Sequence, residues 1–272
     1  FSGLEAVLRN QNRQNPNSKL FEFGKVYGVT VDATDTAKDA STTDNTSINF
    51  TKKKYTERMM LSLTMTGQQT TENWHNTQKT PVNYYTMKAS VEAILHRLGI
   101  DGNNQFTAIN GDARFAYGMK IHKGQQNIVQ FGLLQAKICK KMDIKQAVFY
   151  AEFDWETVVK LTKKAKTTFA ELPKFPSVRR DLALIIDKAV SYQSIELTVR
   201  KEAKKLLQSL NLFDVYEQET QVGAGKKSYS ISMVFQDTEK TLIDKDIDAT
   251  MQKVIGALEK NGAMIKGGAR NI

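Results

Sequence analysis

The strongest constraint in this chain is the order of two hydrophobic periods in its last hundred residues. From Arg180 to Asp187, Leu182, Leu184 and Ile186 alternate with Asp181, Ala183 and Ile185, the pattern of a strand covered on one face. From Ser191 to Gln208 the period changes: Ile195, Val199, Ala203 and Leu206 (with Leu210 just beyond) lie on one helical stripe. Asn211 to Glu217 reads as a strand, Val222 to Lys227 as a turn with two glycines, and Ser228 to Gln236 as another strand. Thr241, with Asp244 three residues on, has the spacing of a capping box. The helix it would open carries Ile247, Met251, Val254, Ile255 and Leu258, and ends near Lys260 and Gly262. Ala263 to Lys266 is a short last strand. A βαββαβ order of this kind closes into a four-stranded sheet with both helices on one face, a ferredoxin-like split βαβ fold.

That arrangement leaves the other sheet face open, and period-two arithmetic predicts its residues. Tyr229, Ile231, Met233 and Phe235 are the core set of the third strand, so Ser228, Ser230, Ser232 and Val234 face the other way. The second strand has bulky residues on both sides, Phe213 and Val215 against Asp214 and Tyr216. Small residues, hydroxyls and Tyr216 therefore form the open face. Such a surface suits unstacked bases, which stack on rings and hydrogen-bond to small polar groups. Arg179, Arg180, Lys226 and Lys227 at the strand ends are candidate phosphate contacts. An ordinary solvated sheet face would have a similar composition, and the fold also hosts small-molecule-sensing domains.

Phe169 to Pro176 (FAELPKFP) is the expected boundary, because two prolines three apart resist helix and sheet alike. The domains are then 1–172 and 173–272. Upstream, Gly3 to Asn10 has helical spacing, Lys19 to Val31 and Met59 to Thr66 read as strands, and Thr86 to Leu98 as an amphipathic helix. Three further strands are expected at Ala116 to His122, Ile128 to Leu134 and Ala147 to Asp154. Asp32 to Ser47 is a polar stretch expected to be a mobile hairpin loop.

The chain's 272 residues carry a net charge of +10. Residues 1–173 hold 23 basic against 16 acidic residues, and residues 174–272 hold 16 against 13. A basic surface attracts polyanions but does not by itself specify one. No apolar run is long enough to span a membrane as a helix. The chain opens Phe1-Ser2-Gly3-Leu4, without methionine or a charged-then-apolar leader, so a piece of a longer protein with no secretory signal is expected. The single cysteine, Cys139, fits a reducing, cytoplasmic compartment. Lys137, Lys140 and Lys141 would lower its pKa if the thiol were exposed, but a buried, inert cysteine is the expectation. His75, His96 and His122 show no metal-ligand spacing. Gly223-Ala-Gly-Lys-Lys227 looks like a phosphate loop but lacks a following helix, and is expected to be a hairpin turn. No catalytic constellation is expected.

Four segments now carry a resemblance: Phe175-Pro-Ser-Val-Arg-Arg-Asp-Leu-Ala-Leu-Ile-Ile-Asp187, Leu212-Phe-Asp-Val-Tyr216, Gly225-Lys-Lys-Ser228 and Thr241-Leu-Ile-Asp244. In that order and spacing they resemble the ferredoxin-fold anticodon-binding domain that ends the beta subunit of bacterial phenylalanyl-tRNA synthetase. Asn17 to Tyr27, Tyr84 to Leu95, Phe131-Gly-Leu-Leu134 and Val148 to Asp154 are similar to upstream segments of the same subunit. Gly111-Asp-Ala-Arg-Phe-Ala116 departs from the family pattern, having neither its His nor its Pro.

The resemblance implies an α+β protein: a class II synthetase-like mixed or antiparallel sheet domain without catalytic residues, followed by the ferredoxin-like domain. It implies assembly with the alpha subunit in an (αβ)₂ tetramer and contact with the anticodon region of phenylalanine tRNA. ATP and magnesium would belong to the holoenzyme and not to this chain. Carried over by motif, Ala183, Tyr216 and Ser228 lie on the tRNA face, the set that alternation also selects. The competing reading is a stand-alone class II-like ATP-dependent ligase with an accessory ferredoxin-like domain, which would need an ATP site within 1–172.

Overall fold

The computed structural model describes residues 1–31, 53–75, 77–100, 104–166, 169, 171–218, 222–266 and 270–271. The polar stretch from Asp32 to Ser47 lies outside the described residues. The chain divides into two compact units, Phe1–Thr168 and Phe169–Ile272.

The first unit runs α1 (Ser2–Asn12), β1 (Ser18–Val31), β2 (Lys53–Thr66), α2 (Tyr84–Arg97), β3 (Gln105–Ile109), β4 (Phe115–Lys123), β5 (Gln126–Leu134), α3 (Ala136–Lys141), β6 (Val148–Asp154) and α4 (Trp155–Thr162). Its six strands lie in the order β1-β2-β6-β5-β4-β3, and every pair is antiparallel. β3 and α3 are short and were not expected from periodicity. The exposure of β3 does not alternate, and the six residues of α3 span too few turns to show a helical period. α2 begins at a capping box in which the Asn83 side chain accepts from the Thr86 N–H at 3.0 Å and Thr86 Oγ1 accepts from the Asn83 N–H. Its Met87, Val91 and Leu95 pack on Leu61, Leu63, Phe131 and Phe149. Neighbouring residues of β6 go to different clusters, since Val148 packs with Leu4 and Val7 of α1. β4 and β5 approach closely where Gly118 faces Gly132: a Cβ on Gly132 would lie 2.6 Å from the Gly118 Cα.

The second unit runs β7 (Val178–Asp187), α5 (Tyr192–Ala203), a 3₁₀ turn (Lys204–Leu206), β8 (Leu207–Tyr216), β9 (Lys226–Phe235), α6 (Asp244–Lys260), β10 (Met264–Ile265) and β11 (Arg270–Asn271). The sheet order is β10-β7-β9-β8, with β11 also paired to β7. This is the βαββαβ topology. Leu182, Leu184 and Ile186 of β7 and Tyr229, Ile231, Met233 and Phe235 of β9 are buried against Ile195 and Val199 of α5 and Ile247, Met251, Val254 and Leu258 of α6. The core alternation and the stripe of α6 are therefore as read, and so is the first part of the α5 stripe, Ile195, Val199 and Ala203.

Two local expectations are corrected. The first helix ends at Ala203 instead of Gln208, and Lys204 takes φ 49°, in the left-handed region. Leu206, Leu207 and Leu210 satisfy either period, so the helical stripe continued on paper into what is strand. The second correction concerns Thr241, which does not cap α6. The N-cap is Ile243, without a side-chain cap bond, and Asp244 is drawn to Arg180 instead.

Candidate nucleic-acid interface

Cross-strand register defines the uncovered face of the second unit, because paired residues share a face. One row crosses the sheet as Met264, Ile185, Ser228 and Tyr216. The next is Ala183, Ser230 and Asp214; the one after is Asp181, Ser232 and Asn211; then come Arg179, Val234 and Ser209. Lys226 opens β9 on the same face, opposite Asp187.

Five of the seven candidate residues lie on this face: Arg179, Ala183, Tyr216, Lys226 and Ser228. Tyr216 is half-buried, and its hydroxyl donates to Gln218 Oε1 at 2.7 Å. Ser228 is only 9% exposed, a floor beneath its neighbours. Lys226 lies at the end of β9, with Nζ near the Met264 sulfur.

Arg180 and Lys227 are on the covered face. Arg180 is 5% exposed; its guanidinium donates to Asp244 Oδ1 at 3.1 Å and to the Arg179 carbonyl at 3.2 Å. It ties the start of α6 to β7. Lys227 Nζ donates to the Lys188 carbonyl at 2.9 Å and lies 4.8 Å from the centre of the Tyr229 ring. Neither is free for phosphate. Position at a strand end had grouped them with Arg179 and Lys226, yet adjacent residues of a strand point to opposite faces.

One residue of this face was missed. The β8–β9 register shifts between Leu212 and Asp214, so the bulge at Phe213 breaks strict alternation. The Phe213 ring lies 5.7 Å from the Arg179 guanidinium carbon, which places it on the open side. Arg179 also grips Asp181 with two bonds, Nε to Oδ1 at 2.8 Å and Nη2 to Oδ2 at 3.0 Å. A bulge has no hydrophobic period, so nothing in the sequence announces it. The conflict between Phe213 and Tyr216 over sides is its only trace.

The first unit has a polar cluster around Arg114. Its guanidinium donates to Glu152 Oε2 at 3.0 Å, to Gln130 Oε1 at 3.1 Å and to Asp112 Oδ1 at 3.3 Å. With two carboxylates on one cation, the cluster does not offer a site to a triphosphate. Among the described residues, no group of three His, Cys, Asp or Glu side chains is arranged to hold a metal ion. His122 is occupied by Thr107 Oγ1 at 2.9 Å and the Gly124 carbonyl at 2.8 Å. Gly223 and Gly225 take φ 93° and 72°, and Lys226 opens a strand, so this glycine segment is a turn between strands. Among the described residues, no helix is long and apolar enough to cross a membrane, which says nothing of a β-barrel.

Cys139 is 5% exposed, and burial raises its thiol pKa above the ordinary value despite the nearby lysines. It is expected to react with iodoacetamide at neutral pH far more slowly than a free thiol, reaching full labelling only after denaturation. Rapid labelling of the folded chain, followed by mass spectrometry, would contradict that burial.

Residues 173–266 match a family model described as the ferredoxin-fold anticodon binding domain, and residues 1–155 match one described as the phenylalanyl tRNA synthetase beta chain CLM domain. The chain is 38% identical over 261 residues to the phenylalanine–tRNA ligase beta subunit of Bacteroides thetaiotaomicron, covering 95% of this chain and 30% of that protein. It is 35% identical over 268 residues to the beta subunit of Porphyromonas gingivalis, covering 98% of this chain and 31% of that protein. It thus spans about a third of the length of these relatives. Among solved structures it is similar to pyrrolysyl-tRNA synthetase from Desulfitobacterium hafniense, with 12% identity over 62% of this chain and 52% of that one and a TM-score of 0.38, too low to bear on function.

Proposed function

The chain belongs to the phenylalanyl-tRNA synthetase beta chain family, and from that premise we propose that it serves phenylalanine–tRNA ligation as a non-catalytic part of the beta subunit. Its second unit binds the anticodon region of phenylalanine tRNA on the open sheet face. Its first unit is a class II synthetase-like scaffold for assembly with the alpha subunit, in an (αβ)₂ tetramer of the cytoplasm. The observation that carries this reading is the open face itself, where Ala183, Ser228 and Ser230 form a low floor beside Tyr216, within the span that matches an anticodon-binding family.

Each part of that face has a physical role. The Tyr216 ring offers a stacking surface for a base. Ser228, Ser230 and Ala183 keep the floor low enough for base edges to approach. Lys226 supplies positive charge at one end, which positions the backbone without reading sequence. ATP and magnesium chemistry belongs to the holoenzyme, and we assign it to the alpha subunit. The Arg114 guanidinium is already paired with Asp112 and Glu152, so this cluster is not the cation a stand-alone ligase would use for a triphosphate.

The test is a titration of this chain with phenylalanine tRNA at two salt concentrations, beside a tRNA of different anticodon. Preference for the phenylalanine anticodon that survives the higher salt is expected. Equal binding of both tRNAs, abolished by salt, would mean that charge is all the face supplies.

A further inference from the structure

On the reading of the open face as an RNA surface, we propose that Arg179 and Phe213 form a second base-stacking platform, separate from Tyr216. Arg179 was expected to hold a phosphate. The structure gives it a different task. Both of its forked bonds go to Asp181, which neutralises its charge and fixes the guanidinium plane. A cation already paired in this way gains little from a phosphate, whereas a planar guanidinium remains a good surface for a base.

The pair is built by three features of the sheet. Arg179 lies on β7 and Phe213 on β8, with β9 between them. The two side chains can meet only if β9 keeps low residues beneath them. It does, with Ser230 and Ser232, the latter 6% exposed. The bulge at Leu212–Asp214 then sets the Phe213 ring on the open face, where regular alternation would have sent it with Val215. The ring remains half exposed, and so does the Arg179 side chain. With the Phe213 ring 5.7 Å from the guanidinium carbon and both groups half exposed, the pair leaves flat surface open on which a base can stack.

Tyr216 lies three residues along β8 from Phe213, in the row of Ser228, while Arg179 lies in the row of Val234. The face thus carries two platforms separated along the strands, and takes two unpaired bases of one loop. No covalent step is involved.

The experiment measures binding of this chain to the anticodon stem-loop of phenylalanine tRNA, with 2-aminopurine replacing single loop bases, at two salt concentrations. Arg179→Lys keeps the charge and loses the plane. It is expected to weaken binding roughly 5- to 150-fold and to relieve the quenching of one 2-aminopurine position, with the salt slope unchanged. Phe213→Ala should relieve the same position, and Tyr216→Ala a different one. Circular dichroism checks that each variant is folded. Wild-type affinity and quenching in Arg179→Lys would overturn the second platform, as would a loss in the charge-removing Arg179→Gln seen only as a salt slope smaller by about one with quenching intact, the mark of a phosphate contact. If Tyr216→Ala weakens binding in either case, the RNA-binding reading stands without this inference. If the wild-type chain fails to bind the stem-loop at the lower salt, both fall.

Discussion

Phe131→Ala is expected to cost the first unit about 3–5 kcal/mol. Phe131 is fully buried, and its ring lies 5.5 Å from that of Tyr84 at an interplanar angle of 23°. Deleting it removes buried apolar surface and leaves a cavity between α2 and the sheet that rigid strands cannot close. The chain has two tryptophans, Trp74 and Trp155, and both lie in the first unit. Tryptophan fluorescence therefore reports this unit alone, and its thermal midpoint should fall by about 6–20 °C. A second signal comes from Tyr84. Burial, with added repulsion from Tyr85 and Glu92, pushes its phenol pKa up to about 12. A raised tyrosine pKa means that the neutral phenol is the favoured partner of the fold. Its contribution is present below about pH 10 and is lost as pH climbs towards 12. Water entering the Phe131→Ala cavity should bring this titration down towards the ordinary value. An unchanged melting midpoint and an unchanged phenol titration would show that the space is refilled.

Tyr216→Ala is expected to weaken binding of phenylalanine tRNA by about 1–3 kcal/mol, the loss of one stacked base. Its ring ends the row of Met264, Ile185 and Ser228, where it is half-buried beside the small Ser228. Tyr216→Phe should bind nearly as wild type, because the hydroxyl is engaged with Gln218 and the ring does the stacking. The pair of variants separates stacking from hydrogen bonding. Unchanged affinity in Tyr216→Ala, with circular dichroism showing an intact fold, would remove the stacking claim.

Much of this face was legible in advance because a strand's period is two and the buried set of β9 is unbroken. Tyr229, Ile231, Met233 and Phe235 all go inward, so the serines between them had only one other side. The charges were less legible. Arg179 and Arg180 are neighbours in sequence and similar in chemistry, yet one lies on the open face and the other is buried beside Asp244. Lys226 and Lys227 divide in the same way. Treating the four as one strand-end cluster ignored the alternation that had placed the serines.

Sequence alone determined the βαββαβ order, the buried alternation of β7 and β9, the stripe of α6 and the covered face of the second unit. These follow from local periodicity, and each residue's side is decided by its immediate neighbours. Tertiary structure decided what depends on partners distant in the chain. Asp244 stands at the start of α6 with its side chain largely exposed, and accepts from the buried guanidinium of Arg180, 64 residues away, in place of the capping bond expected of it. Phe213 turns to the open face because, of the two register shifts of β8 against β9, one inserts an extra residue at Phe213. Arg179 meets it because two strands separated in sequence lie on either side of a low row of serines. Contacts of this kind are set by register and by unmet polar groups, and neither has a period that a single chain displays.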